Sequence, residues 1–360
     1  MGVLKSDTSL GKVIVWTNAY NAEQVIARAM NSILNQTYQD WTYLVLDNGS
    51  TDDTGYIIRD FAMRDSRIIA MDRKHNDVKC SSYGRAVWNT TSAKWWVHLD
   101  ADDEYDPTFL EKMVAFASEN RLDIAASGYE KLDGRTGELV TRRTSDENFI
   151  LEGSGFSEKF VEYRGFTTYI WAKLVSIEFL VRIQKRMVER DYWDQFAFDS
   201  YYMLLLFERA ERVGIFGESL YKYYQYPKSY DVEGIEGRLD SMKRLYIATK
   251  EYALKFGSLC KEHEDYLQAI LLSMMDENIR TIKESAVGLG SKLSFLFRVF
   301  IDPDVQAMFR YQAGPQWRNL AIREEYKRKI IDWIESQDSI DHYKAIVECI
   351  KHSLGKDAFS

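Results

Sequence analysis

The sequence predicts an α/β fold: a mostly parallel sheet flanked by helices, followed by an all-helical region. Three observations predict it. Short apolar runs alternate with stretches of helical period from about residue 12 to residue 129. Polar, turn-prone loops follow the strands, where α/β sheets bind ligands. From about Gly234 only helical periodicity remains.

Lys12-Val13-Ile14-Val15-Trp16 is a compact apolar run after a glycine and reads as a buried first strand. Val25, Ile26, Ala29, Ile33 and Leu34 recur at helical spacing, which predicts a helix over 22–35. Trp41 to Leu46 is the second strand. It runs into Asp47-Asn48-Gly49-Ser50-Thr51-Asp52-Asp53, a tight loop with N-cap residues for a helix carrying Ile57, Ile58 and Phe61. Arg67 to Met71 is the third strand, and a helix is expected around 78–91. Trp95 to Leu99 is the fourth strand and ends in Asp100-Ala101-Asp102-Asp103-Glu104. Pro107 opens a helix to about Ser118, and Leu122 to Tyr129 is the fifth strand. Gly134 and Gly137 mark a turn between short strands. Ile170 to Arg182 and Asp199 to Arg209 read as helices, and Val213 to Tyr226 as two short strands. Helices then follow through Leu239–Leu254, Tyr266–Met275, Leu293–Ile301, Glu324–Ile334 and Ser339–Ser353. A boundary near 232 divides a domain of residues 1–232 from a helical domain of residues 233–360.

Composition narrows the function classes. The chain has 360 residues, with 46% hydrophobic and 28% charged residues, which suits globular domains with a sizeable core. A net charge of −8 disfavours nucleic acid as a partner. Cys80, Cys260 and Cys349 are far apart and no CxxC occurs, so neither a disulfide framework nor a zinc ribbon is expected. Met1–Leu10 holds no apolar core of a signal peptide, and no run of about 18 apolar residues occurs. A cytoplasmic enzyme is the expectation, with peripheral contact at the inner face of a membrane left open. The P-loop, G-x-G-x-x-G and G-x-S-x-G patterns are missing, which disfavours P-loop ATPases, Rossmann dinucleotide enzymes and α/β-hydrolases.

The chemistry-bearing residues sit in three loops: Thr17–Asn21, Asp47–Asp53 and Asp100–Glu104. In a parallel sheet all three open onto one rim. Acidic and amide side chains there suit a metal-bound nucleotide, because a hard cation such as Mg2+ or Mn2+ takes oxygen ligands from one or two carboxylates and from phosphates. Each Asp by itself equally suits the cap of the next helix. His98 fits a place near a metal or a packed strand position. Tyr221 to Tyr230 fit sugar stacking or a sheet edge, and Lys222 or Lys228 could neutralise a diphosphate. Leu293 to Ile301, with Lys292 and Arg298, suits the core of a bundle better than a membrane surface.

Several runs together resemble family 2 glycosyltransferases over about residues 11–230. They are Thr17-Asn18-Ala19-Tyr20-Asn21, Ser32-Ile33-Leu34-Asn35-Gln36-Thr37-Tyr38, Leu46-Asp47-Asn48-Gly49-Ser50-Thr51-Asp52, His98-Leu99-Asp100-Ala101-Asp102-Asp103, Trp171-Ala172-Lys173-Leu174 and Ala197-Phe198-Asp199-Ser200-Tyr201-Tyr202. The resemblance implies a GT-A fold with a Rossmann-like sheet, a nucleotide-diphosphate-sugar donor, a divalent cation (Mn2+ or Mg2+) and inversion by direct displacement. It implies a glycan or lipid-linked acceptor and a role in surface polysaccharide assembly. Residue by residue, Thr17, Asn18 and Tyr20 with Asp47 and Asn48 would hold the nucleobase. Asp100 and Asp102 would face ribose and metal, and Asp102 or Asp103 would ligate the metal. Asp199 would be the general base, with Asp194 its rival, and Arg85 would serve the phosphates.

The sequence departs from the family pattern at three places. Asn48 stands where Asp is common, the Ser82-Tyr83-Gly84-Arg85-Ala86 segment is about one residue out of register, and Phe198 stands where Glu precedes the base. Two other readings are weighed against the transferase. A sugar-nucleotide pyrophosphorylase would carry a glycine-rich, Arg- and Lys-bearing signature after the first strand, which is missing here. A catalytically inactive glycan-binding protein sits poorly with intact Asp102, Asp103 and Asp199. A homodimer through the C-terminal helices is left open.

Overall fold

The computed structural model describes residues 10–76, 91–187, 197–226, 232–314, 323–338 and 340–354. Its contacts divide the chain into two units, one of residues 1–192 with 202–226 and one of residues 193–201 with 227–360.

The first unit is built on one mixed, mostly parallel sheet. Strands β1 (Val13–Ala19), β2 (Trp41–Asp47), β3 (Ile68–Asp72) and β4 (Trp95–His98) pair in parallel in the order β3-β2-β1-β4. β1 is buried along nearly its whole length, as its continuous apolar run requires. Helix α1 (Ile26–Leu34) follows β1, and α2 (Thr54–Arg64) follows β2. α1 starts four residues later than its apolar spacing predicts. Asn21 adopts φ +48°, and the Val25 and Ile26 amides both close onto the Ala22 carbonyl, so 22–25 is a turn.

Beyond β4 come the two-residue strand β5 (Glu104–Tyr105), helix α3 (Phe109–Glu119), strand β6 (Ile124–Asp133), and strands β7 (Leu139–Arg143) and β8 (Phe149–Leu151). Strand β9 (Lys173–Ser176) corrects the sequence reading, which places this stretch in a helix. It is inserted antiparallel between β4 and β6. A strand covered on both faces shows no alternation, so its apolar run imitates a buried helix. Only Ile177–Met187, α4, is helical there. The second correction concerns β10 (Val213–Gln225), one strand rather than two. Its register against β6 shifts between Phe216 and Ser219 and again between Ser219 and Lys222. Those irregularities break the period-2 pattern without ending the strand. Helix α5 (Phe198–Arg209) precedes β10.

In the second unit the elements described from Val232 on are helices, among them α6 (Val232–Lys255), α7 (Lys261–Glu284), α8 (Leu289–Phe300), α9 (Pro303–Arg310), α10 (Arg323–Glu335) and α11 (Lys344–Leu354). Asp302 caps α9 by accepting from the Asp304 and Val305 amides, and Lys243 of α6 pairs with it at 2.6 Å. The apolar face of α8 is core: Leu293, Phe295, Leu296, Val299 and Phe300 are buried. No helix among the described residues is long and apolar enough to cross a membrane.

Candidate active site

The C-terminal ends of β1, β2 and β4 form one rim because the three strands run parallel. Their loops are stitched together there by main-chain and side-chain hydrogen bonds. The Asn48 amide donates to the Ala19 carbonyl at 2.8 Å, and the Leu99 amide donates to the Trp16 carbonyl at 2.9 Å. Asn21 Oδ1 accepts from the Thr51 amide, and the Asn21 amide donates to Ser50 Oγ.

Thr17 is fully buried. Its hydroxyl donates to the Leu99 carbonyl at 2.7 Å and shares a 2.9 Å hydrogen bond with the Tyr43 hydroxyl. Asn18 lies beside Leu46 in the β1–β2 register. Tyr20 is 46% exposed on the loop. Asp47 is buried and accepts from the Ser50 amide at 2.9 Å, while Asn48 donates through Nδ2 to Asn76 Oδ1 at 2.9 Å. The next turn needs glycine. Gly49 has φ +80°, and a Cβ there would stand 2.6 Å from the His75 carbonyl carbon.

The third loop is an acidic turn closed by the Asp103 amide on the Asp100 carbonyl. Carboxylate oxygens of Asp100, Asp102 and Asp103 all lie within 4.8 Å of one another. Asp100 and Asp102 are half-buried and Asp103 is fully buried. His98, one of two alternatives at the sequence level, donates from Nε2 to Asp100 Oδ1 at 2.9 Å. Burial, then the charges of Asp100 and Asp102, pushes the Asp103 carboxyl well above the usual carboxylate range. Three like charges at this spacing repel, and a cation among them relieves that repulsion. The donor set is all hard oxygen, which fits Mg2+ or Mn2+.

Strand β10 supports this turn. The Tyr221 hydroxyl donates to Asp103 Oδ2 at 2.7 Å and the Tyr224 amide to Oδ1 at 2.8 Å. Tyr221 also stacks on Trp171 with ring centroids 4.5 Å apart, and Trp171 stacks on Tyr169 at 4.3 Å. Tyr223 and Tyr129 pack on the same Trp171 ring. The tyrosines of β10 therefore join the acidic turn to an aromatic cluster. Lys173 is buried at the start of β9 and donates to the Trp171 carbonyl. Ala172 between them has φ +58°, a conformation a non-glycine residue takes only where its surroundings impose it.

Arg28 is a site neighbour that the sequence reading passes over. It donates to the Asp102 carbonyl, lies 3.3 Å from Tyr226 Oη and stacks 3.7 Å over the Tyr224 ring. The signal for it was a cation in the first turn of a helix that follows a rim loop. Asp199 lies in the first turn of α5, and its segment, 193–201, groups with the second unit. Arg85, Asp194 and Lys228 lie outside the described residues. Lys222 pairs with Glu104 at 3.4 Å.

Comparison with known proteins sets the chain beside glycosyltransferases. Residues 14–175 match the family described as Glycosyl transferase family 2. The uncharacterized glycosyltransferase EpsJ of Bacillus subtilis is 27% identical over 248 residues, 68% of this chain and 70% of that protein. The UDP-Glc:alpha-D-GlcNAc-diphosphoundecaprenol beta-1,3-glucosyltransferase WfgD of Escherichia coli is 27% identical over 139 residues, 38% of this chain and 54% of that one. Among solved structures, S. aureus TarS 1–349 superposes with a TM-score of 0.57 at 16% identity, covering 95% of this chain and 91% of TarS. That likeness shows a shared fold. Residues 14–175 are thus a glycosyltransferase family 2 domain, and the chain carries the catalytic domain of a glycosyltransferase.

Proposed function

We propose that this enzyme moves a sugar from a nucleotide-diphosphate-sugar to a hydroxyl of a glycan or lipid-linked acceptor, with inversion, in surface polysaccharide assembly. The observation that carries this reading is the acidic turn at the end of β4, three carboxylates within 4.8 Å, beside the β1 and β2 loops on the same rim. The WfgD relative, whose name specifies a diphosphoundecaprenol-linked acceptor, supports the acceptor class. Such an acceptor puts the work at the inner face of a membrane, with the chain held peripherally.

In this reading Asn18 and Tyr20, with Asp47 and Asn48, take the nucleobase, and the fully buried Thr17 holds the end of β1 in place from inside the sheet. Asp100 faces the ribose. The acidic turn holds a divalent cation, which when bound offsets the negative charge that develops on the departing nucleoside diphosphate. Asp199 takes the proton of the acceptor hydroxyl as that oxygen bonds the anomeric carbon and the nucleoside diphosphate leaves. Arg85 serves the phosphates. A carboxylate suffices as base, because the oxygen becomes strongly acidic only as its new bond forms.

The test is a thermal-shift screen of nucleoside diphosphates with and without Mn2+, followed by transfer from the matching nucleotide-sugar. A cation-dependent rise with one nucleotide, and release of that nucleoside diphosphate on adding acceptor, supports the reading. A chain that binds no nucleotide, with or without the cation, overturns it.

A further inference from the structure

Asp103 differs from the two carboxylates beside it. Asp100 and Asp102 are half-buried, whereas Asp103 is fully buried and both of its oxygens are engaged by β10. Oδ2 accepts from the Tyr221 hydroxyl and Oδ1 from the Tyr224 amide. The Tyr221 oxygen in turn lies 3.4 Å from the Asp100 amide, whose N–H points to it. Arg28 of α1 also donates to the Asp102 carbonyl and stacks on Tyr224. The turn is therefore held by both α1 and β10, and Asp103 is the fully buried side chain of the turn that β10 engages, beside Glu104, which meets Lys222 and Tyr224.

We infer that Asp103 is a positioning residue and not a metal ligand: its carboxylate clamps the acidic turn onto Tyr221 and Tyr224 so that Asp100 and Asp102 meet the cation. The inference rests on the donor-and-cation reading above and assigns the parts within it. Swinging Asp103 toward a cation would strip a buried hydroxyl and a backbone amide of their acceptor at once, and unpaired buried donors are costly. The cation has no need of it. Mg2+ and Mn2+ sites on diphosphates commonly use one or two carboxylates and leave the other positions to phosphate and water. Outer partners of this kind set metal affinity through geometry.

The experiment compares Asp103→Ala, Asp103→Asn, Tyr221→Phe and Asp102→Asn in the full chain. Melting temperature is measured without metal, Mn2+ affinity by electron paramagnetic resonance, and kcat and KM for the donor at saturating Mn2+. Asp103→Ala lowers the metal-free melting temperature by about 5 °C and weakens Mn2+ about tenfold. Asp103→Asn, which keeps the acceptor for Tyr224 and a polar atom for Tyr221, returns Mn2+ affinity to within about threefold of the wild type. Tyr221→Phe, the variant to rely on if Asp103→Ala does not fold, shows the same two losses in smaller measure. Asp102→Asn weakens Mn2+ more than any of these and leaves the metal-free melting temperature in place. At saturating Mn2+ the clamp variants raise donor KM more than they lower kcat.

Asp103→Asn losing Mn2+ as fully as Asp102→Asn, at unchanged melting temperature, overturns the inference and makes Asp103 a ligand. Unchanged stability in both Asp103→Ala and Tyr221→Phe also overturns it. Wild-type chain that binds no Mn2+ would instead overturn the cation reading, while the metal-free melting temperatures still decide the clamp.

Discussion

The Thr17 hydroxyl of β1 donates to the Leu99 carbonyl, 2.7 Å away at the end of β4, and so ties the first rim loop to the residue that precedes the acidic turn. The same oxygen meets the Tyr43 hydroxyl of β2, and no water reaches it, since Thr17 is fully buried. Thr17 thus serves the rim from inside the sheet, while Tyr20 and Asn21 just after β1 are exposed.

Replacing Thr17 by Val keeps the shape and removes the hydroxyl. It leaves the Leu99 carbonyl without that donor and deprives the Tyr43 hydroxyl of its partner on β1. The expected cost is about 1–3 kcal/mol of stability, read by urea denaturation. Because Leu99 leads into Asp100, donor KM rises as well. A variant as stable as the wild type would show that this hydrogen bond does not hold the rim.

Asp199→Asn is expected to lower kcat by roughly a hundred- to ten-thousandfold while donor KM stays within a few-fold. Its place in the first turn of α5 makes a small helix-dipole contribution, about 0.3–1 kcal/mol, so the variant folds. Unchanged turnover would remove Asp199 from the mechanism, and the same assay on Asp194→Asn would then decide the rival.

Chelation is the third test. Removing divalent cations with EDTA should abolish transfer, and Mn2+ or Mg2+ should restore it. Mn2+ at a hundred times its Kd adds about 2.7 kcal/mol to the stability of the folded chain, a rise of several degrees in Tm. Transfer that persists in EDTA would sink the cation's role.

The pH dependence of an ion pair distant from the acidic turn follows from Asp65. Arg67 binds its carboxylate at 2.7 and 3.1 Å while stacking 3.7 Å over Trp41, and this holds the Asp65 carboxyl below its ordinary value. A carboxyl with a depressed folded-state value contributes stability above its unfolded value of about 4, and loses it as pH falls through the folded value. Asp65→Asn should therefore cost about 1 kcal/mol at pH 7 and less at pH 2. An equal cost at both pH values would show that neutral hydrogen bonds, and not charge, do the holding.

The alternation of strands and helices up to residue 129 was legible because each element there carries its own period and each loop its own turn residues. The rim was legible for the same reason: parallel strands must all release their loops at one edge. β9 and β10 were read wrongly. Insertion between β4 and β6 removes the alternation from Lys173–Ser176, and two register shifts interrupt it in β10. Among site residues, Asp100, Asp102 and Asp103 stand together as their spacing implies, but nothing in Asp102-Asp103 distinguishes the buried carboxylate from its half-buried neighbour.

By itself, then, the sequence determined the α/β class, the helical C-terminal region and the set of loops that carry the chemistry, since these depend on local period and turn propensity. The tertiary structure alone decided that β9 runs antiparallel, that Asp103 is enclosed by Tyr221 and Tyr224 from a strand about 120 residues later, and that Arg28 grips the acidic turn. Those outcomes depend on which distant strands pair and in what register, and burial and hydrogen-bond partners follow only once that pairing is made.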